Sequence, residues 1–272
     1  MMKRRNFLMK KFAAVVCCLT ILVSLFSFTV FAEKDPLPTV FVSIADGNGK
    51  LVLAYESVSL SDTDGDGVLT VHDALSNAHE AYYEDGKAGF SSEKTQYGMS
   101  MTKLWGVSNG GSYGCYVNDV SAMSCADTVK AGDHIYAFAY TDTVMFSDSY
   151  SYFDVQSVTA KRGDTVTVTL CSSGYDENWN VCTAPVANAV ILINGVDSGV
   201  RTDENGKASI TVDSRKNMVL SAHSSEQIIT PPVCMISVEA SFSIPMIAYF
   251  CLICIVAAVG GILLMKRKGN HA

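Results

Sequence analysis

The chain has 272 residues and neither an HExxH pattern nor a GxxxxGK[ST] loop. The short motifs that hold a catalytic zinc or cradle a nucleotide phosphate are therefore missing. Histidine is scarce, 5 in all, and no carboxylate can be paired with another as acid and base. Catalysis needs convergent groups that this sequence does not gather, so a non-enzymatic protein is expected. Tryptophan is confined to Trp105 and Trp179, and the one CxxC, at 251–254, lies in an apolar run where a zinc or dithiol site would be poorly placed. Acid is absent from the first 32 residues.

Two apolar runs lie towards the ends. MMKRRNFLMKK is a basic start, FAAVVCCLTILVSLFSFTV an apolar core and Val30-Phe31-Ala32 a cleavage site, the three parts of a secretory signal peptide over 1–32. The apolar part is long, which leaves an uncleaved anchor as the alternative. From Ile244 to Met265 there are 22 residues without a charge, followed at once by Lys266, Arg267 and Lys268. As a helix this run would rise about 33 Å, enough to cross a bilayer, and the basic cluster would hold its far end in the cytoplasm. The expected topology is a cell-membrane protein with its amino terminus outside, one transmembrane helix over 244–265 and a cytoplasmic tail over 266–272.

Charge and cysteine agree with an outer location. Of the 20 lysines and arginines, 5 precede Glu33 and 3 follow Met265, leaving 12 against 27 carboxylates, a net charge of −15. That surface excludes a nucleic-acid partner and suits divalent cations. Five cysteines fall between the apolar runs: Cys115, Cys125, Cys171, Cys182 and Cys234. An odd number leaves at least one thiol free or paired between molecules. Cys115 with Cys125 is a plausible local bridge, and the remaining connectivity stays open.

Residues 61–75 read SDTDGDGVLTVHDAL. Counted from Asp62, carboxylates stand at loop positions 1, 3 and 5 (Asp62, Asp64, Asp66), a glycine at 6, the Val68 carbonyl at 7, Thr70 at 9 and Asp73 at 12. That is the ligand spacing of a twelve-residue calcium loop. Four carboxylates packed so closely repel one another unless a cation sits among them. The bare alternative is an Asp/Gly turn. Asp73 in place of a bidentate Glu resembles the dockerin-type loop, and no second loop follows, so a structural Ca2+ is expected rather than a cooperative sensor.

About 210 residues remain outside, enough for two small modules. The first opens with alternating VFVSI, a DGNGK turn and LVLAYESVSL, two strands. Val71, Ala74, Leu75, Ala78 and Tyr82 then recur at helical spacing with Thr70 as cap. His72 and His79 are seven apart, too far for an i, i+4 metal pair, and are expected to be solvated. MTKLWGV, a glycine-rich segment SNGGSYG, CYVNDV and the strand HIYAFAY follow, with His134 expected on an exposed strand face. Strand, strand, helix and further strands is a β-grasp-like order, an α+β domain over 37–141. After a linker over 142–152, residues 153–239 hold short strands and Asn-Gly and Glu-Asn-Gly hairpin signals, an all-β sandwich.

Several stretches of the first module resemble the transcobalamin-like carboxy-terminal domain: the TVHDALSNA helix, Trp105-Gly106 before a glycine-rich segment, Tyr116-Val117-Asn118-Asp119, and Val129 to Tyr140. Asp119 stands where that family tends to show glycine. The resemblance implies a small planar ligand such as a corrinoid, with Trp105, Gly110, Gly111, Tyr113 and Tyr116 as contacts and Trp105 equally suited to the core. The helical partner domain that would supply the other face of such a site is missing. In the second module GVRTDENGKASITV resembles bacterial immunoglobulin-like or transthyretin-like surface repeats, which implies a spacer. The sequence thus predicts an anchored, calcium-stabilised extracellular binding module, or alternatively a surface adhesion or protein-docking protein.

Overall fold

In Thr39–Ala45 the residues alternate between two faces, with Val40, Val42 and Ile44 in an apolar core and Ala45 in a separate aromatic cluster. The computed structural model describes residues 37–239 except 111, 176 and 179. The expected signal segment, transmembrane helix and tail, together with Gly111 and Trp179, lie outside the described residues. Among the described residues no helix is long and apolar enough to cross a membrane.

Seven strands and one α-helix, with a short 3-10 turn over Gly86–Gly89, build the first module. They are β1 (Thr39–Ala45), β2 (Leu51–Ser59), α1 (Val71–Tyr82), β3 (Ser91–Thr95), β4 (Gly98–Lys103), β5 (Tyr113–Val117), β6 (Val120–Ser121) and β7 (His134–Ala139). The main sheet runs β2-β1-β7-β5-β6, with β1 and β7 parallel and the other pairs antiparallel. Helix α1 packs on one face through Val71, Ala74, Leu75 and Ala78, all fully buried as their spacing predicts. Thr70 caps it reciprocally with Asp73. Tyr82 closes the apolar stripe only partly. Its ring is exposed while its hydroxyl donates to the Ser57 carbonyl at 3.0 Å.

The second module contains β8 (Ser151–Phe153), β9 (Ser157–Ala160), β10 (Thr165–Tyr175), β11 (Val181–Pro185), β12 (Val190–Ile193), β13 (Val196–Arg201), β14 (Lys207–Thr211), β15 (Met218–His223) and β16 (Cys234–Val238). One sheet runs β11-β10-β14 with β8 also on β10, the other β13-β12-β15-β16-β9. Residues of both, including Val168, Leu170, Ile191, Ile210, Leu220 and Ile236, fill one buried core, which makes a β-sandwich. Asn194-Gly195 forms the expected tight turn between β12 and β13, both residues at positive φ. The second signal, Glu204-Asn205-Gly206, makes a turn but not a hairpin within one sheet. Strand β14 leaves it to pair with β10, so the chain crosses from one sheet to the other.

The region between the modules is packed. Strand β8 begins at Ser151, inside the expected linker, and Tyr150 just before it is buried. Tyr150 joins Tyr136, Phe138 and Val233 in a cluster on the sheet face away from α1. Its ring stacks on Tyr116 with centroids 3.6 Å apart and meets Tyr136 edge-on at 5.4 Å. Two polar ties accompany the rings. Tyr150 donates its hydroxyl to Asp119 Oδ1 at 2.6 Å, and Gln156 donates to Asp119 Oδ2 at 2.9 Å. The Tyr136 hydroxyl donates to the Pro231 carbonyl. All these residues lie in one compact unit that begins at Pro38.

Candidate functional site

The acidic loop is built from its own hydrogen bonds. Asp62 accepts from the Gly65 and Gly67 amides at 2.6 and 2.9 Å, Asp64 from Asp66 at 3.3 Å and Asp66 from Val68 at 2.8 Å. Gly67 supplies the positive φ of 85° that the reversal requires. Bonds from Gly67 and then Gly65 hold the Asp62 carboxyl below the usual carboxylate range. The result is a convergence of Asp62, Asp64 and Asp66, each offering an oxygen within 4.8 Å of the others, on an exposed surface. Oxygens sharing one calcium at about 2.4 Å lie no farther than about 4.8 Å apart, so the spacing fits a single hard cation.

The other three predicted ligands are placed differently. Asp73 is fully buried and accepts at one oxygen from the Thr63 amide and hydroxyl, at the other from the Thr70 amide and hydroxyl. Burial opposes its ionisation more than any other single influence. The bonds from Thr63 and Thr70 together outweigh burial and lower its pKa. Thr70 is thereby committed to the helix cap, and both residues brace the loop from behind instead of joining the carboxylate cluster. Val68 stays exposed at the loop's end.

The expected ligand surface is largely used for packing. Trp105 is half-buried against the first core, meets Tyr83 edge-on at 5.2 Å and donates its amide to His79 Nε2 at 3.0 Å. Gly106 follows with φ 77°, where a side chain would collide with the Tyr83 hydroxyl. Tyr113 sets its hydroxyl between the Thr102 and Val107 carbonyls and accepts the Asn109 amide. Tyr116 lies under Tyr150. Gly110 alone among the described members of this group faces open space. The segment also carries Gly-x-Ser-x-Gly spacing at 106–110 and again at 110–114. Neither forms a nucleophile elbow, because the chain continues into β5 and not into a helix.

Two histidines expected at the surface are buried, which corrects the sequence reading. His79 has no exposed area: its Nδ1–H donates to the Leu75 carbonyl at 2.7 Å while Nε2 accepts from Trp105. That pattern fixes the neutral ring, and burial, partly opposed by the Leu75 bond, pushes its pKa down to about 4. His134 is 2% exposed, with Nε2 2.8 Å from Ser43 Oγ and Nδ1 without a partner. Burial pushes it to about 4 as well. His72 bonds Ser92 Oγ at 2.8 Å.

The five candidate disulfide residues carry free thiols. Cys115 and Cys125 sit together in the first core, where burial and then Cys125 raise the Cys115 pKa, and burial pushes Cys125 to about 12. Cys234 is buried in the second core. Cys171 and Cys182 lie on paired strands but out of step, opposite Pro185 and Gly174 respectively, so they do not face each other.

No family model matches this chain. No curated protein matches it either. Among solved structures, the chain is similar to the crystal structure of Dscam1 isoform 9.44, N-terminal four Ig domains, at 7% identity and a TM-score of 0.22. The match covers 76% of this chain and 47% of that one, so the chain spans less than half of that structure's length. A likeness of that size carries no argument about fold or function.

Proposed function

We propose that this is a non-enzymatic, membrane-anchored extracellular binding protein in which a calcium-stabilised β-grasp-like module stands on an immunoglobulin-like sandwich. The observation that carries the calcium assignment is the convergence of Asp62, Asp64 and Asp66 on a loop whose backbone is already fixed by their own side chains. Such a cluster without a cation stores repulsion, and a cation relieves it. Of the two binding modes, docking to a surface protein is favoured over capture of a planar ligand such as a corrinoid. The stacking of Tyr116 under Tyr150 and the three bonds to the Tyr113 hydroxyl support this choice, since they take two of the aromatic contacts away from a ligand.

Calcium binding tests the reading directly. With calcium at a hundredfold excess over its Kd, the full chain in detergent is expected to gain about 2.7 kcal/mol of stability. Asp62→Ala is expected to gain none. Equal melting temperatures with calcium and with chelator in the unsubstituted chain would return the loop to a bare turn.

A further inference from the structure

A cleft of about 670 Å³ separates the β1–β2 hairpin of the first module from the outer face of the β12–β15 pair of the second. Its size falls in the range that encloses small organic ligands, roughly 300–1,000 Å³. Leu51 and Ala54 form one wall, Leu192 and Val219 the other. Neither the acidic loop nor the Trp105 segment borders it.

Two polar features mark this cleft as more than a packing gap. Ser221, 5% exposed, borders it and has a buried hydroxyl with no hydrogen-bond partner. A buried hydroxyl left unpaired is destabilising, so a group that supplied its partner would be bound with a gain. Lys50, exposed, also lines the cleft, and the ion pairs among the described residues, Lys87–Glu80 and Lys161–Glu239, do not include it. On a surface of net negative charge a free cation beside apolar walls selects a ligand that is apolar along its body and anionic at one end. His223, at the boundary with a second hollow of about 380 Å³, adds a further donor, while Glu226 beyond it disfavours an anion there. The anionic end is therefore placed at Lys50.

We propose that the cleft between the two modules binds a small amphipathic carboxylate of medium-chain fatty-acid type, its tail between Ala54 and Leu192, its head at Lys50 and Ser221 against it. This goes beyond the calcium-stabilised docking module proposed above and does not rest on it. The test uses the full chain in lipid nanodiscs, with empty nanodiscs as the blank, anilinonaphthalene sulfonate as fluorescent probe and decanoate as competitor. Saturable probe fluorescence displaced by decanoate is expected, with Lys50→Glu weakening decanoate about tenfold. Leu192→Trp, which sets an indole across the path of the tail, is expected to abolish decanoate binding at unchanged calcium response. Ala54→Phe narrows the same path from the other wall and serves if Leu192→Trp does not fold. Decanol competing as well as decanoate, or decanoate binding that survives both wall substitutions, would overturn the assignment. Because calcium and chelator are run in parallel, loss of the calcium response with retained decanoate binding would refute the earlier proposal alone.

Discussion

Replacing Tyr150 by alanine is expected to destabilise the protein by about 3–5 kcal/mol, the usual cost of removing a buried aromatic ring. It should also split one unfolding transition into two. Tyr150 is 3% exposed, stacks on Tyr116, touches Tyr136 and Tyr152, and binds Asp119. Removing it opens a cavity in the cluster the modules share, and each sandwich or sheet then melts on its own core. Tyr150→Phe separates ring from hydroxyl: it keeps the stack and strands Asp119 Oδ1, for a loss of about 1–3 kcal/mol. Calorimetry reads both effects, and an undivided, unshifted transition in Tyr150→Ala would show that the modules are coupled elsewhere.

Stability is expected to fall steeply between pH 6.5 and 4. His79 and His134 both have folded pKa values near 4, below the ordinary 6.5. Above pH 6.5 they are neutral whether folded or not, and their neutral form contributes fully. Below it the unfolded chain takes up protons that the folded chain refuses. Each histidine then costs roughly 3 kcal/mol by pH 4, an order-of-magnitude figure. For His79 the proton would have to enter at Nε2, against the Trp105 amide. Asp62 and Asp73, whose pKa values are lowered, act in a lower window, losing their contribution only as pH falls below 3.8. Urea midpoints measured from pH 8 to 4.5 isolate the histidines. His134→Phe should remove about half of the slope, and a flat profile over that interval would refute the account.

The elements written in local pattern were legible. Helix α1 follows from Val71, Ala74, Leu75 and Ala78 with Thr70 ahead of them, and the carboxylate cluster from the spacing of Asp62, Asp64 and Asp66. What escaped depends on distant partners. His79 is solvated or buried according to a Trp105 amide 26 positions on. Tyr116 is a platform or a buried ring according to Tyr150, and no periodicity in CYVNDV announces that stack. Asp119 reads as a minor departure in a turn, yet it is the residue that receives both Tyr150 and Gln156. Glu204-Asn205-Gly206 has the composition of a hairpin turn, and only the pairing of Lys207–Thr211 with β10 shows that it changes sheets. The β3–β4 hairpin was also half-hidden, because SSEKT has little of the apolar alternation that marks a strand.

In each module an early strand lies parallel to the last one, β1 beside β7 and β9 beside β16. A tug on the two flanking ends therefore slides these strands past each other lengthwise. Their cross-strand bonds are evenly spaced along the pair, so they share the load together instead of parting one by one. For a protein proposed to hold something at a cell surface, both modules are thus strung to resist tension along the chain.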